Sequence, residues 1–180
     1  MRIALFCALL VVPGTVAAES LCDVGGGIIP RLAGVWDGTV AMSVETEALS
    51  VTDEGLPVLS VLFDDGRFGT AWMQDIVGAG ETVTLSRSDG TYDVDGVDDL
   101  LETAEADWMA DALSDTPCGP EALPQLRGAV DYAPDLTGDL TLIAYFDDRI
   151  LMLAELEYRG DWGVAFVIAA ALLEPGPLPD

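Results

Sequence analysis

The stretch Thr137-Gly138-Asp139-Leu140-Thr141-Leu142-Ile143-Ala144-Tyr145-Phe146 runs through Asp147-Asp148-Arg149 into Ile150-Leu151-Met152-Leu153-Ala154-Glu155-Leu156-Glu157-Tyr158. Two apolar runs of strand length flank three polar turn residues. That pattern predicts an antiparallel hairpin, because a tight turn returns the chain alongside itself. A second turn, Arg159-Gly160-Asp161, leads into Trp162–Leu172 and adds a third strand. The same grammar recurs upstream. Pro57–Asp64 and Arg67–Gln74 flank Asp64-Asp65-Gly66, and Glu81–Arg87 and Thr91–Val94 flank Ser88-Asp89-Gly90. Val35–Val44 alternates Thr39, Ala41 and Ser43 against Val40, Met42 and Val44, which places the two sets on opposite faces. Leu126–Tyr132 reads as one further strand.

Eight or nine strands in sequential hairpins predict a mainly β fold, a single antiparallel up-and-down β-barrel. A β-sandwich is the alternative. Closure is favoured because it removes the two edges that an open sheet exposes to aggregation. Inward positions are expected at Met42, Leu85, Leu142, Ala144, Met152 and Phe166. One segment departs from the period of two. Residues 98–113 place Leu101, Ala104, Trp108 and Ala112 on one helical face, with Glu102, Glu105 and Asp107 on the other. Asp99 with Glu102 fits a capping box, so one surface helix is expected there. Residues 114–125 carry three prolines and read as a loop.

The N-terminus reads as a secretory leader. Met1-Arg2 is a short basic start, Ile3–Val12 is apolar, and Val16-Ala17-Ala18 offers small residues for cleavage. The expected layout is a signal peptide at 1–18, one domain at 19–174 and a flexible tail at 175–180, with a periplasmic or secreted location. No stretch reaches the ~20 apolar residues of a membrane helix.

The chain has 180 residues, 7 Lys+Arg, 32 Asp+Glu and no His, for a formal charge of -25. Every cation is Arg. Without His there is no Ser-His-Asp or Cys-His catalysis, and without Lys no Schiff-base lysine. The negative field repels nucleic acid and favours cations or a basic protein partner. Salt-adapted secretomes and GC-rich genomes give a similar composition, so charge alone does not define a binding site.

Three cysteines are present, and loss of the leader leaves Cys22 and Cys118. An exported chain with two cysteines is expected to join them in one disulfide. A lone thiol or an intermolecular bridge is the alternative. Thr91–Glu102 holds Asp93, Asp95, Asp99 and Glu102 at four positions of a calcium-loop pattern set on Gly96. Thr91 stands where that loop carries Asp, and Asp98 where it carries an apolar anchor, so a strand end, an Asp-Gly turn and a helix N-cap are the favoured reading of the stretch. The pairs Asp64-Asp65 and Asp147-Asp148 lie in turns, where Asp is favoured and solvated. Acid-dependent hydrolysis is therefore the least favoured activity, and the chain reads as non-catalytic.

Gly34-Val35-Trp36, at the start of the first strand, resembles the opening of lipocalin-like ligand-binding barrels. The resemblance implies a Trp that closes one end of the barrel and an interior that holds a small apolar or amphipathic molecule. Trp36, Trp72, Tyr145 and Trp162 are the candidate ligand-binding residues. The competing expectation is an envelope protein that meets another protein through its acidic surface.

Overall fold

A computed structural model describes residues 21–22, 24, 27–70, 82–88, 123–133, 135–161 and 163–177. Helix α1 (Ile28–Leu32) is followed by β1 (Gly34–Thr46), β2 (Ser50–Leu62), β3 (Arg67–Thr70), β4 (Val83–Thr84) and β5 (Ser86–Ser88). Then come β6 (Gln125–Ala133), β7 (Leu136–Phe146), β8 (Arg149–Gly160) and β9 (Gly163–Pro175). The hairpin at Asp147-Asp148 forms as the sequence predicts, with Ile143 opposite Leu151 and Leu140 opposite Ala154.

All pairings are antiparallel. The hydrogen-bonded order is β4-β3-β2-β1-β9-β8-β7-β6-β5. Its two ends meet along the chain, because only Leu85 separates β4 from β5. The run Val83–Ser88 therefore bonds β3 with its first half and β6 with its second. At Leu85 its amide instead donates to the Gly66 carbonyl, at 2.8 Å. The result is a nearly closed up-and-down barrel sealed on the opposite side by β1 against β9. The barrel is consistent with the general calycin-type fold, and its one continuous sheet excludes a sandwich, which would leave two separate sheets.

Several elements depart from expectation. β2 begins at Ser50, ahead of Pro57. Gly55, at φ 73, lets Glu54 and Gly55 face Ala41 in a bulge between Val40 and Met42, so the strand passes its proline without breaking. Ser86–Ser88 pairs with β6, whereas the sequence had joined it to Thr91–Val94. β9 continues to Pro175, opposite Trp36, and the Gly176 amide donates to the Val35 carbonyl at 2.8 Å. Pro175 and Gly176, placed in a tail by the sequence reading, thus continue the wall, and residues 178–180 lie outside the described residues. The sequence reading did not foresee α1. The helix expected at 98–113 and the leader at 1–18 lie outside the described residues.

Inward side chains build one core. Trp36, Val40, Val58, Leu62, Phe68, Val83, Leu85, Leu126, Leu140, Leu142, Ile150, Met152 and Leu173 are all buried in it, as is Ala144. Phe166 is the exception among the expected inward residues. Its neighbour Val167 packs against the core, so Phe166 points outward and is 52% exposed. The outer face is also buried over part of the wall, at Ala41, Thr141, Ile143, Leu151, Leu153 and Ala170.

Candidate functional site at the barrel mouth

The two ends of the barrel differ. At one end α1 buries Ile28 and Leu32 against the interior. Trp36 is 3% exposed, and its indole Nε1 donates to the Leu32 carbonyl at 2.9 Å. That bond satisfies one of the carbonyls that a helix C-terminus leaves open. The Arg87 guanidinium donates to the Val24 carbonyl at this end as well. Trp36 is thus buried at the α1 end of the barrel.

The opposite end is formed by the β1–β2, β6–β7 and β8–β9 hairpins. Inward residues here alternate in register: Val44 lies opposite Val51 and Val167, and Tyr158 opposite Leu136 and Ala165. Val51 is 46% exposed and Tyr158 37%. Met42, Val44, Leu56, Ala165 and Val167 are half-buried. One level deeper, Leu140, Ala154 and Ala169 are buried, although Met42 beside Ala169 and Leu56 opposite Val40 are only half-buried. Among the described residues the inward side chains are thus more exposed at this end than at the base, and the residue opposite Met42 is the exposed Asp53.

Two local devices shape the rim. The Thr46 hydroxyl accepts from the amides of Leu49, at 3.0 Å, and Ala48, at 3.3 Å, which fixes the β1–β2 turn. Tyr158 lies over Gly160, where an added Cβ would fall 2.1 Å from the phenol oxygen, so the ring rests along the rim. Outside the rim a groove of about 450 Å³ is lined by Glu45, Thr46, Glu47, Arg159, Val164 and Phe166. A second, of about 440 Å³, continues down the wall past Glu155, Glu157 and Ile168.

Of the residues singled out in the sequence, Trp72 and Trp162 lie outside the described residues, as do Asp93, Asp95, Asp99 and Glu102. Tyr145 is in β7, and its side chain is not among those described. No group of three or more potential metal ligands occurs among the described residues. The expected Cys22–Cys118 bridge is not seen among the described residues. Cys118 lies outside them, and Cys22, whose sulfur is disulfide-bonded, is the one cysteine within. The paired turn acids meet arginines: Asp65 Oδ2 sits 2.8 Å from Arg67 Nε, and Asp148 Oδ2 sits 3.5 Å from Arg149. No described helix is long and apolar enough to cross a membrane.

Val51 and Ala165 are inward residues that sequence reading missed. Their signal was available in the register: Val44 inward on β1 requires its partners to be inward too. In comparisons with protein-family models, curated proteins and solved structures, nothing matches this chain.

Proposed function

We propose that this protein is an exported, non-catalytic carrier that binds a small apolar or amphipathic molecule in the mouth of its barrel. The observation that supports this reading is the exposure gradient along the inward side chains. Among the described inward residues, exposure is greatest at the hairpin end, at Val51 and Tyr158, with Val44 and Ala165 half-buried beside them. Burying such a surface under a ligand is favourable by about 25 cal/mol per Å² before the costs of association. A barrel of this size leaves room for one small ligand.

Titration with the apolar fluorophore phenylnaphthylamine tests the reading. Saturable binding is expected in the full-length protein. Ala165→Phe should fill the mouth and weaken binding by about tenfold while leaving the thermal midpoint in place. Ala144→Phe is unsuitable, since Ala144 is buried in the packed base and a larger side chain would strain it. Absence of saturable binding, or binding that Ala165→Phe leaves unchanged, would remove the mouth as the site.

A further inference from the structure

One stretch of the wall has outer side chains that are buried. Ile143 on β7 lies opposite Leu151 on β8, and in the next row Thr141, Leu153, Ala170 and Ala41 are neighbours in register across β7, β8, β9 and β1. All six are buried, yet each sits on the strand face opposite to the core residues Leu142, Met152, Ala171 and Val40. Burial stops toward the mouth, where Asp139 and Glu155 are exposed. Every described strand belongs to the one sheet, and α1 buries its apolar residues in the interior, so no described element lies over this stripe. Its cover comes from chain outside the described residues.

The course of the chain selects that cover. Ser88, the last residue of β5, pairs with Gln125, the first of β6, and Gln125 pairs on its other side with Ile143. Residues 89–122 therefore depart from and return to one corner of the stripe. The returning chain is held against the wall, since Leu123 and Pro124 are buried and the Pro124 carbonyl accepts from the Ala144 amide at 3.0 Å. Gln125 is 1% exposed on the same outer face, and its Nε2 has no hydrogen-bond partner among the described residues. A buried donor without an acceptor is costly, so the cover must also bring a polar group to this corner. Within 89–122, Leu101, Ala104, Trp108 and Ala112 make one apolar helical face, with Glu102, Glu105 and Asp107 on the other. As a helix, residues 98–113 would be about 24 Å long, against roughly 19 Å across the wall from β6 to β1. Residues 71–81 instead join β3 to β4 on the far side of β2, and the leader reaches the barrel at Leu21, in the interior core.

We infer that this outer stripe is the docking face of the chain's own residues 98–113, with Leu101, Ala104, Trp108 and Ala112 against the wall and the acids toward water. Docking gives the barrel's closure a second support. The strands that close it, β4 and β5, have two and three residues, so the seam itself holds few ladder bonds. A segment that starts from β5 and lies across β7, β8, β9 and β1 ties that seam to the long strands. This part of the wall is then an internal interface rather than a surface offered to a partner protein.

Photo-cross-linking of the full-length protein tests the inference. With the photoreactive substitution Trp108→p-benzoylphenylalanine, irradiation and peptide mapping should join position 108 to a peptide of β7, β8 or β9 within the same chain. The reciprocal probe, Leu153→p-benzoylphenylalanine, should join the wall to a peptide from residues 98–113. Leu101→Asp should abolish the link from position 108 while the β-sheet circular dichroism persists, because a charge on the docking face cannot be buried unpaired. Leu101 is not part of the barrel wall, so this variant separates lost docking from lost folding. A link from position 108 to β2 or β3, or none in a protein that keeps its β-sheet spectrum, would overturn the docking. So would a link that survives Leu101→Asp. A link from position 153 to residues 1–18 would make the leader the cover, and a cross-linked dimer would make it a second copy; either result overturns the assignment to 98–113.

Discussion

At Trp36 one indole nitrogen joins the first strand to the end of α1, and the ring beneath it fills the base of the barrel. The glycine two residues earlier starts the strand, so the motif works as a corner that turns a helix into a wall. Asp65 illustrates a different residue-scale effect. The Arg67 side chain hydrogen-bonds its carboxylate, the Arg67 amide donates at 3.1 Å, and its pKa is held below the ordinary value. A lowered folded pKa adds stability at pH values above the unfolded pKa, and that contribution is lost as pH falls through the folded pKa. Carbon-detected NMR titration should place the Asp65 midpoint below that of an unstructured aspartate. Arg67→Gln should move it upward, and an unmoved midpoint would show that Arg67 is not the cause. Arg67 also lies 4.7 Å over the Phe63 ring, which keeps the guanidinium near the turn.

At the scale of elements, the strands are bent by positions where a side chain has no room. A Cβ on Gly138 would fall 2.1 Å from the Glu155 carbonyl oxygen, and one on Gly38 would fall 2.2 Å from that of Leu172. Both meet backbone, which cannot rotate away. Gly138→Ala should destabilise the protein by about 1–3 kcal/mol, the range for overpacking. Urea unfolding would measure it, and a change below about 0.5 kcal/mol would mean that β7 and β8 can separate at little cost. β8 shows the reverse case. Its residues Ile150 to Ala154 are all buried, so the strand is apolar on both faces and reads as a continuous run rather than an alternation. The hairpins were legible because Asp, Gly and Arg punctuate apolar runs. Helix α1 was not, since five residues show no period and Pro30 lies inside it.

Across the whole molecule, charge is the dominant feature. Thirty-two acids against seven arginines leave far more carboxylates than the few described ion pairs can neutralise. Their mutual repulsion opposes the compact state, and ions screen it over about 10 Å at 0.1 M salt. The thermal midpoint should rise from low to molar NaCl. A flat response in differential scanning calorimetry would show that the acids are too far apart, or too well solvated, to matter.

The amino-acid sequence by itself determined the antiparallel hairpins, most strand positions and the inward identity of Val40, Met42, Leu142 and Met152. Those depend on local turn chemistry and a period of two, which short stretches carry in full. Only the tertiary structure decided that Phe166 faces out and that Trp36 is buried against the end of α1. Phe166 and Val167 are both apolar neighbours in the run Trp162–Leu172, so alternation alone cannot say which of them points inward. Register against β1 and β8 settles it, because Val44 and Leu156 draw Val167 to their own face. The closure was equally non-local. It depends on Val83–Ser88 bonding two strands far apart in the chain, and on β1 meeting β9, contacts that no window of sequence contains.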